Sequence, residues 1–309
     1  MSKGVLLMAH GAPESLDDMR EYYIEVMGGQ IPSDEMVENL KSRYESIGGE
    51  SPLLDITLRK AEALEEQLGD EYQVYAGMRF WHPYIKEAIE EMAEDGITHA
   101  VAIVMQPHYS YMTVGRYFQA LDEANEELGH PIKFHKITSW KTHPKYIDAL
   151  VERLEKSFAD PSFADFERED ITVLFTAYNL PERILQHDDA YPDELAATYT
   201  ALSSRTGLEN WDFAYQSSNY PHEPVLGPTL EQKVSELSEK DNNKIIICPV
   251  SLIDEHTEIL YDIDIEARKE AEKQGIFMKR IQMLNDHPSL IEGFTDMVKK
   301  ASIWKQMSS

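Results

Sequence analysis

Glu258, Asp262 and Glu266 recur every four residues, so on a helix they form one row of carboxylates along the axis. Like charges at that spacing cost roughly 0.2–0.5 kcal/mol per pair on an exposed helix. A hard or borderline divalent cation offsets that cost. A solvated acidic face explains the same spacing, and spacing alone leaves both readings open. His256 stands two residues before Glu258, where the apolar strand Ile245-Ile246-Ile247 has passed Pro249 and a helical pattern begins. Parallel α/β sheets bind their ligands at such strand-to-helix turns.

The whole chain favours cations over anions as partners. Its 56 acidic and 29 basic residues leave a net charge of −27, which argues against nucleic acid and anionic membrane. Salt adaptation would produce the same balance. A length of 309 residues with 42% hydrophobic and 28% charged side chains is enough for a large core and two ordinary domains. There is no apolar run near the roughly 20 residues of a membrane span and no signal peptide, so a cytoplasmic protein is expected. Cys248 is the single cysteine; it predicts no internal disulfide and no iron–sulfur cluster.

The elements that must position the acidic row are legible as alternating strand and helix. Gly4 to Ala9 reads as a buried strand ending at His10-Gly11-Ala12-Pro13. Helical spacing follows over Leu16–Met27 and Ile56–Leu68, then a strand over Val74–Met78 and a helix opened by Pro83. Strands over Ala100–Met105 and Ile132–Ile137 alternate with helices over Tyr117–Leu128 and Pro144–Phe158. This pattern specifies a parallel sheet covered on both faces.

The second half repeats the first in order. Val5-Leu6-Leu7-Met8-Ala9-His10 matches Val173-Leu174-Phe175-Thr176-Ala177-Tyr178, the strand before Pro107 matches the strand before Pro249, and His143-Pro144 matches His287-Pro288. The expectation is an α/β chain of two Rossmann-like, doubly wound halves, residues 1–160 and 161–309, facing across a cleft. Polar Asp160 to Asp170 forms the boundary, and the helix after Pro288 packs back on the first half. His10, Tyr178, His108 and Glu258 should converge in the cleft.

Several segments together resemble the ferrochelatases, over nearly the whole chain. They are Arg43-Tyr44 through Ile47-Gly48-Gly49 to Ser51-Pro52-Leu53, Met78-Arg79-Phe80-Trp81-His82-Pro83, and Pro107-His108-Tyr109-Ser110. To these add Ala177 through Leu180-Pro181-Glu182, Leu226-Gly227-Pro228, and His256 through Glu258 to Tyr261-Asp262. The resemblance implies insertion of Fe²⁺ into a porphyrin, coproporphyrin III or protoporphyrin IX, within haem biosynthesis. Both are substrates, with no prosthetic group, and a monomer is expected. It also implies a metal path along Glu258, Asp262 and Glu266, and a porphyrin cleft contacted by Ser51, Tyr117 and His256.

Two departures stand out. The family's catalytic histidine position is Tyr178 here, while His10 occupies the position where the coproporphyrin branch carries a tyrosine. That branch also has propionate-binding arginines near the segment that reads Met27-Gly28-Gly29-Gln30. Insertion removes two pyrrole protons as a partly dehydrated Fe²⁺ approaches, and neutral imidazole serves as both base and ligand. Tyrosine titrates about 3.5 units higher, a deficit of roughly 5 kcal/mol as a base at pH 7. The sequence therefore assigns His10, Tyr178 and Glu258 to catalysis and His10, Glu258, Asp262 and Glu266 to the metal. The alternatives are a fold that only binds haem or porphyrin, and a chelatase for sirohydrochlorin, whose enzymes carry a first-strand His-Gly. His143 and His287 read as capping or packing residues and His108 as either ligand or structural. Tyr111, Tyr117 and Trp81 read as core or slot lining. Ser203-Ser204 and Ser217-Ser218 have no partner base, and no glycine-rich phosphate loop is present.

Overall fold

Apolar runs flanked by amphipathic helices place the inner strands at the centre of two parallel sheets. The computed structural model describes residues 2–218, 220, 223–239, 243–301 and 304. In the first half the order is β1 (Lys3–Ala9), α1 (Met19–Val26), α2 (Asp34–Ser46), α3 (Leu53–Leu68) and β2 (Tyr72–Met78), continuing through α4 (Ile85–Glu94), β3 (His99–Val104), α5 (Val114–Glu127), β4 (Lys133–Ile137) and α6 (Pro144–Phe158). The second half holds β5 (Thr172–Tyr178), α7 (Tyr191–Thr206), β6 (Trp211–Gln216), α8 (Leu230–Glu239) and β7 (Lys244–Pro249). A π-helix (Glu258–Ala267), α9 (Arg268–Lys273), β8 (Phe277–Arg280) and α10 (Pro288–Lys300) complete it.

Both sheets have the same topology. Their strand orders are β2-β1-β3-β4 and β6-β5-β7-β8, and all pairs are parallel. Even the ladder ends agree: the Met105 N–H donates to the Met8 carbonyl and the Val250 N–H to the Thr176 carbonyl, both at 2.8 Å. The central strands β1 and β5 are buried on both faces, as expected for sheets with helices on either side. In each sheet the strand order reverses beside the central strand, which opens a crevice at its C-terminal end. His10 and Tyr178 stand at those two ends. The helix α10 packs on α3 and α6, both elements of the first half.

Three local expectations need correction. Pro83 does not open α4: it follows a cis bond from His82, its carbonyl accepts from the Met78 N–H, and the helix begins at Ile85. The Glu87 carboxylate accepts the Tyr84 N–H at 2.7 Å and so caps the helix start. Leu16–Met27 is split into a 3₁₀ turn over Leu16–Asp18 and the helix α1. The acidic row lies on a π-helix rather than an α-helix. Its i→i+5 bonding widens the turn and places Ile259, Ile263 and Ala267, also four apart, in the core.

Candidate active site

A cavity of about 460 Å³ opens between the two crevices, lined by His10 and Tyr178 from the central strand ends and by His256 and Glu258 from the second half. A second cavity of about 700 Å³ shares His10, His256 and Glu258 and extends under α1 and α2, where Tyr44 and Ser51 line it. His10, His256 and Glu258 thus line both chambers, together with Val26, Met27 and Leu53. The α1–α2 pair has its own small apolar cluster of Met19, Val37 and Tyr44, which fixes the outer wall.

His10 is held by backbone as well as by packing. Its carbonyl accepts the Phe80 N–H at 3.0 Å, and its ring lies 4.7 Å from the Phe80 ring and 6.4 Å from the Tyr22 ring. Gly11 follows with φ +91°, and a Cβ there would stand 3.0 Å from the Trp81 nitrogen; only glycine allows the close turn. Burial pushes the His10 pKa down to about 4, against an opposing pull from Glu258. The ring is therefore neutral at pH 7, with a lone pair free for a metal or a proton.

Tyr178 occupies the matching place in the second half. Its N–H donates to the Ser251 hydroxyl at 2.7 Å, and its carbonyl accepts from the Tyr191 hydroxyl at 2.9 Å. Burial, reinforced by the charge of Glu258, pushes its phenol well above the ordinary value. It stays protonated and is no base at neutral pH.

Glu258 and His256 are paired through Nδ1 of the ring. Burial alone would raise the Glu258 pKa, but the imidazole charge and hydrogen bond outweigh it and hold the carboxyl well below the usual range. The same pairing outweighs burial at His256 and moves its pKa up. Asp262 behaves differently. It pairs with Arg43 and accepts the Ser217 hydroxyl. Burial still lifts its pKa to about 6, with Arg43 and Ser217 opposing and Glu258 adding. Glu266 is exposed at the far end of the π-helix. Among the described residues no three His, Cys, Asp or Glu side chains form a ready-made cation cage.

The other candidates separate clearly. Tyr117 lines the first cavity and Ser51 the second, where the Ser51 hydroxyl is buried without a partner. His108 does not reach the cavity; its Nε2 bonds the Thr198 hydroxyl at 2.7 Å between the two halves. His287 caps α10 through Ser289 N–H, while His143 makes no such cap. Trp81 is buried, and Tyr111 stacks edge-on to His187. Sequence reasoning missed Lys60, which pairs in full burial with Asp254 on the cavity wall. The signal was present: Ile56, Thr57, Lys60, Ala61 and Leu64 form one buried face of α3, and a lysine there requires a counter-charge.

The ferrochelatase family profile matches residues 2–302. The ferrochelatase of Herpetosiphon aurantiacus is 38% identical over 292 residues, covering 93% of this chain and 95% of that one. A coproporphyrin III ferrochelatase from a Geobacillus species is 36% identical over 303 residues, covering 96% and 97%. Among solved structures, SirB from Bacillus subtilis with Fe³⁺ superposes with a TM-score of 0.61 at 11% identity, covering 99% of this chain and 98% of that one. At that identity the likeness concerns the fold alone.

Proposed function

Because the chain belongs to the ferrochelatase family and is a metal chelatase that inserts ferrous iron into a porphyrin, we propose that its porphyrin is coproporphyrin III and its working imidazole is His10. Relatives at 35–36% identity named for coproporphyrin III support the first part. The neutral, half-buried ring of His10, which lines the cavity with Glu258, carries the second.

In this reading the porphyrin lies in the 460 Å³ cavity with His10 towards one face of the ring and Tyr178 towards the other. Fe²⁺ enters past the π-helix and exchanges water for the Glu258 carboxylate, whose depressed pKa keeps it ionised and able to hold a cation. Asp262 and Glu266 are outer stations, the former held by Arg43 until a cation competes. As iron reaches the ring, each pyrrole N–H bond breaks and the nitrogen keeps the electron pair for the metal. His10 takes one proton and the Glu258–His256 pair relays the other, so two protons leave as one Fe²⁺ is bound.

The reading needs no iron–sulfur cluster: the sole cysteine, Cys248, is fully buried in β7 and burial pushes its thiol pKa up. It also expects a cytoplasmic enzyme acting as a monomer. No helix among the described residues is long and apolar enough to cross a membrane. We take the boundary between the halves to lie at 160–170; two 3₁₀ turns between α6 and β5, Pro161–Phe163 and Arg168–Asp170, support that reading.

The test is anaerobic Fe²⁺ insertion followed by absorbance, with coproporphyrin III, protoporphyrin IX and sirohydrochlorin. His10→Ala should lose at least about 100-fold in rate, the scale of a general base, while Tyr178→Phe should stay within about tenfold of the wild type. The reverse order would assign the chemistry to a perturbed phenolate. A stoichiometric spectral shift with no turnover would make the protein a porphyrin binder.

A further inference from the structure

The 460 Å³ cavity has two charged ends, and one of them has no counter-charge. Its acidic lining residues are both engaged: Asp254 with Lys60, Glu258 with His256. Its arginines are not. Arg79 has no carboxylate partner among the described residues; its guanidinium lies 4.5 Å from the Phe80 ring and 5.5 Å from the Tyr117 ring. Arg116, one residue before Tyr117, donates only to the neutral Gln119 amide oxygen at 2.9 Å. Burial lowers the proton affinity of Arg79, and the neighbouring charge of Arg116 lowers it further.

In a chain of net charge −27, two uncompensated arginines lining one cavity are unusual. A guanidinium flanked by aromatic rings keeps its fork of donors in a fixed plane, which suits a carboxylate. By contrast, Met27 and Gly28, which line the same cavity, bring no charge. We infer that Arg79 and Arg116 bind the acid side chains of the porphyrin, so that cations on the β2–α5 side replace those absent at residues 27–30. The inference rests on the porphyrin reading above and adds to it an orientation: carboxylate edge towards Arg116, pyrrole centre beside His10. It also names Arg116, exposed at the rim, as a residue that sets affinity for acidic porphyrins.

The experiment is fluorescence titration with metal-free coproporphyrin III and with its tetramethyl ester, whose side chains carry no charge. Arg116→Ala should raise the Kd for the acid about tenfold, the scale of one charge-assisted hydrogen bond. Arg116→Lys should recover part of that loss, Arg116→Glu should weaken binding further, and the ester should bind all four proteins alike. Because the contact is ionic, the salt dependence of the acid's Kd should also flatten in Arg116→Ala. An unchanged Kd for the acid in Arg116→Ala, or an equal loss for acid and ester, overturns the inference. Iron insertion measured on the same proteins keeps the two readings apart. A wild type that binds the acid through Arg116 without inserting iron rejects only the insertion reading. One that inserts iron with kcat/KM indifferent to Arg116 rejects only the subsite.

Discussion

Lys60 and Asp254 offer the clearest energetic test of how the two halves are held around the cavity. Lys60 is 0% exposed and Asp254 4%, and they join α3 to the loop after β7. Burial pulls the Lys60 pKa down and Asp254 opposes it. Asp254→Asn would leave a buried ammonium without its counter-charge, a change that costs about 3–5 kcal/mol. The chain has an escape, which sets a ceiling: Lys60 can lose its proton. Relative to an unfolded pKa near 10.4, that costs about 4.6 kcal/mol at pH 7 and about 1.9 kcal/mol at pH 9. In the variant the folded pKa is depressed, so the unfolded chain binds more protons and stability rises with pH up to the unfolded value. The deficit should therefore be about 3–4.6 kcal/mol at pH 7, roughly 5–7 °C in Tm, and should shrink to about 2 kcal/mol at pH 9. Urea unfolding followed by circular dichroism at both pH values measures it. Lys60→Met/Asp254→Leu should recover most of the loss, because an apolar pair replaces a buried ion pair at little cost. A deficit that stays constant between pH 7 and 9 would refute the charge argument and point to packing instead.

Three further substitutions address the metal and the inter-half contact. Calorimetric titration with Co²⁺ or Zn²⁺ should show a site weakened about 10–100-fold by Glu258→Gln. Asp262→Asn should weaken it less, since Arg43 and Ser217 already engage that carboxylate; unchanged binding in Glu258→Gln would return the row to solvated charge. His108, whose pKa burial pushes down to about 3, binds fewer protons folded than unfolded. Its contribution is therefore complete above pH 6.5 and lost as pH falls towards 3, up to roughly 5 kcal/mol. His108→Gln should flatten the loss of stability between pH 7 and 4, and an identical slope would count against it.

Much of this architecture was legible because period and repetition act over long stretches. The matched segments Val5–His10 and Val173–Tyr178 became the two central strands, in sheets of identical order. Of the residues read first from the sequence, Glu258 and its neighbour His256 line the cavity, whereas Asp262 and Glu266 do not. What stayed hidden depends on tertiary contact. A spacing of four fits an α-helix and a π-helix alike, so the wider turn at Glu258 had no sequence signal. Arg43 reaches Asp262 across 219 positions, and no local pattern encodes such a pair. His108 looked like a cleft residue because it ends a strand, yet Thr198 draws it into the contact between the halves.

The exchange of histidine and tyrosine that the family resemblance implies is compatible with the same repetition. His10 directly follows β1 and Tyr178 closes β5, strands with the same neighbours in the same order, so each sits at the equivalent point of a pseudo-twofold site. Swapping the two side chains between equivalent points keeps one imidazole and one phenol facing the cavity. What the swap changes is the surroundings of the imidazole, which now lies against Tyr22 and Phe80. It remains useful only if the acidic partner serves both sides. Glu258 meets that condition: its charge raises the proton affinity of His10 and of Tyr178 alike. A single carboxylate at the start of the π-helix acts electrostatically on both equivalent positions, so moving the imidazole from one to the other leaves it coupled to the same acid.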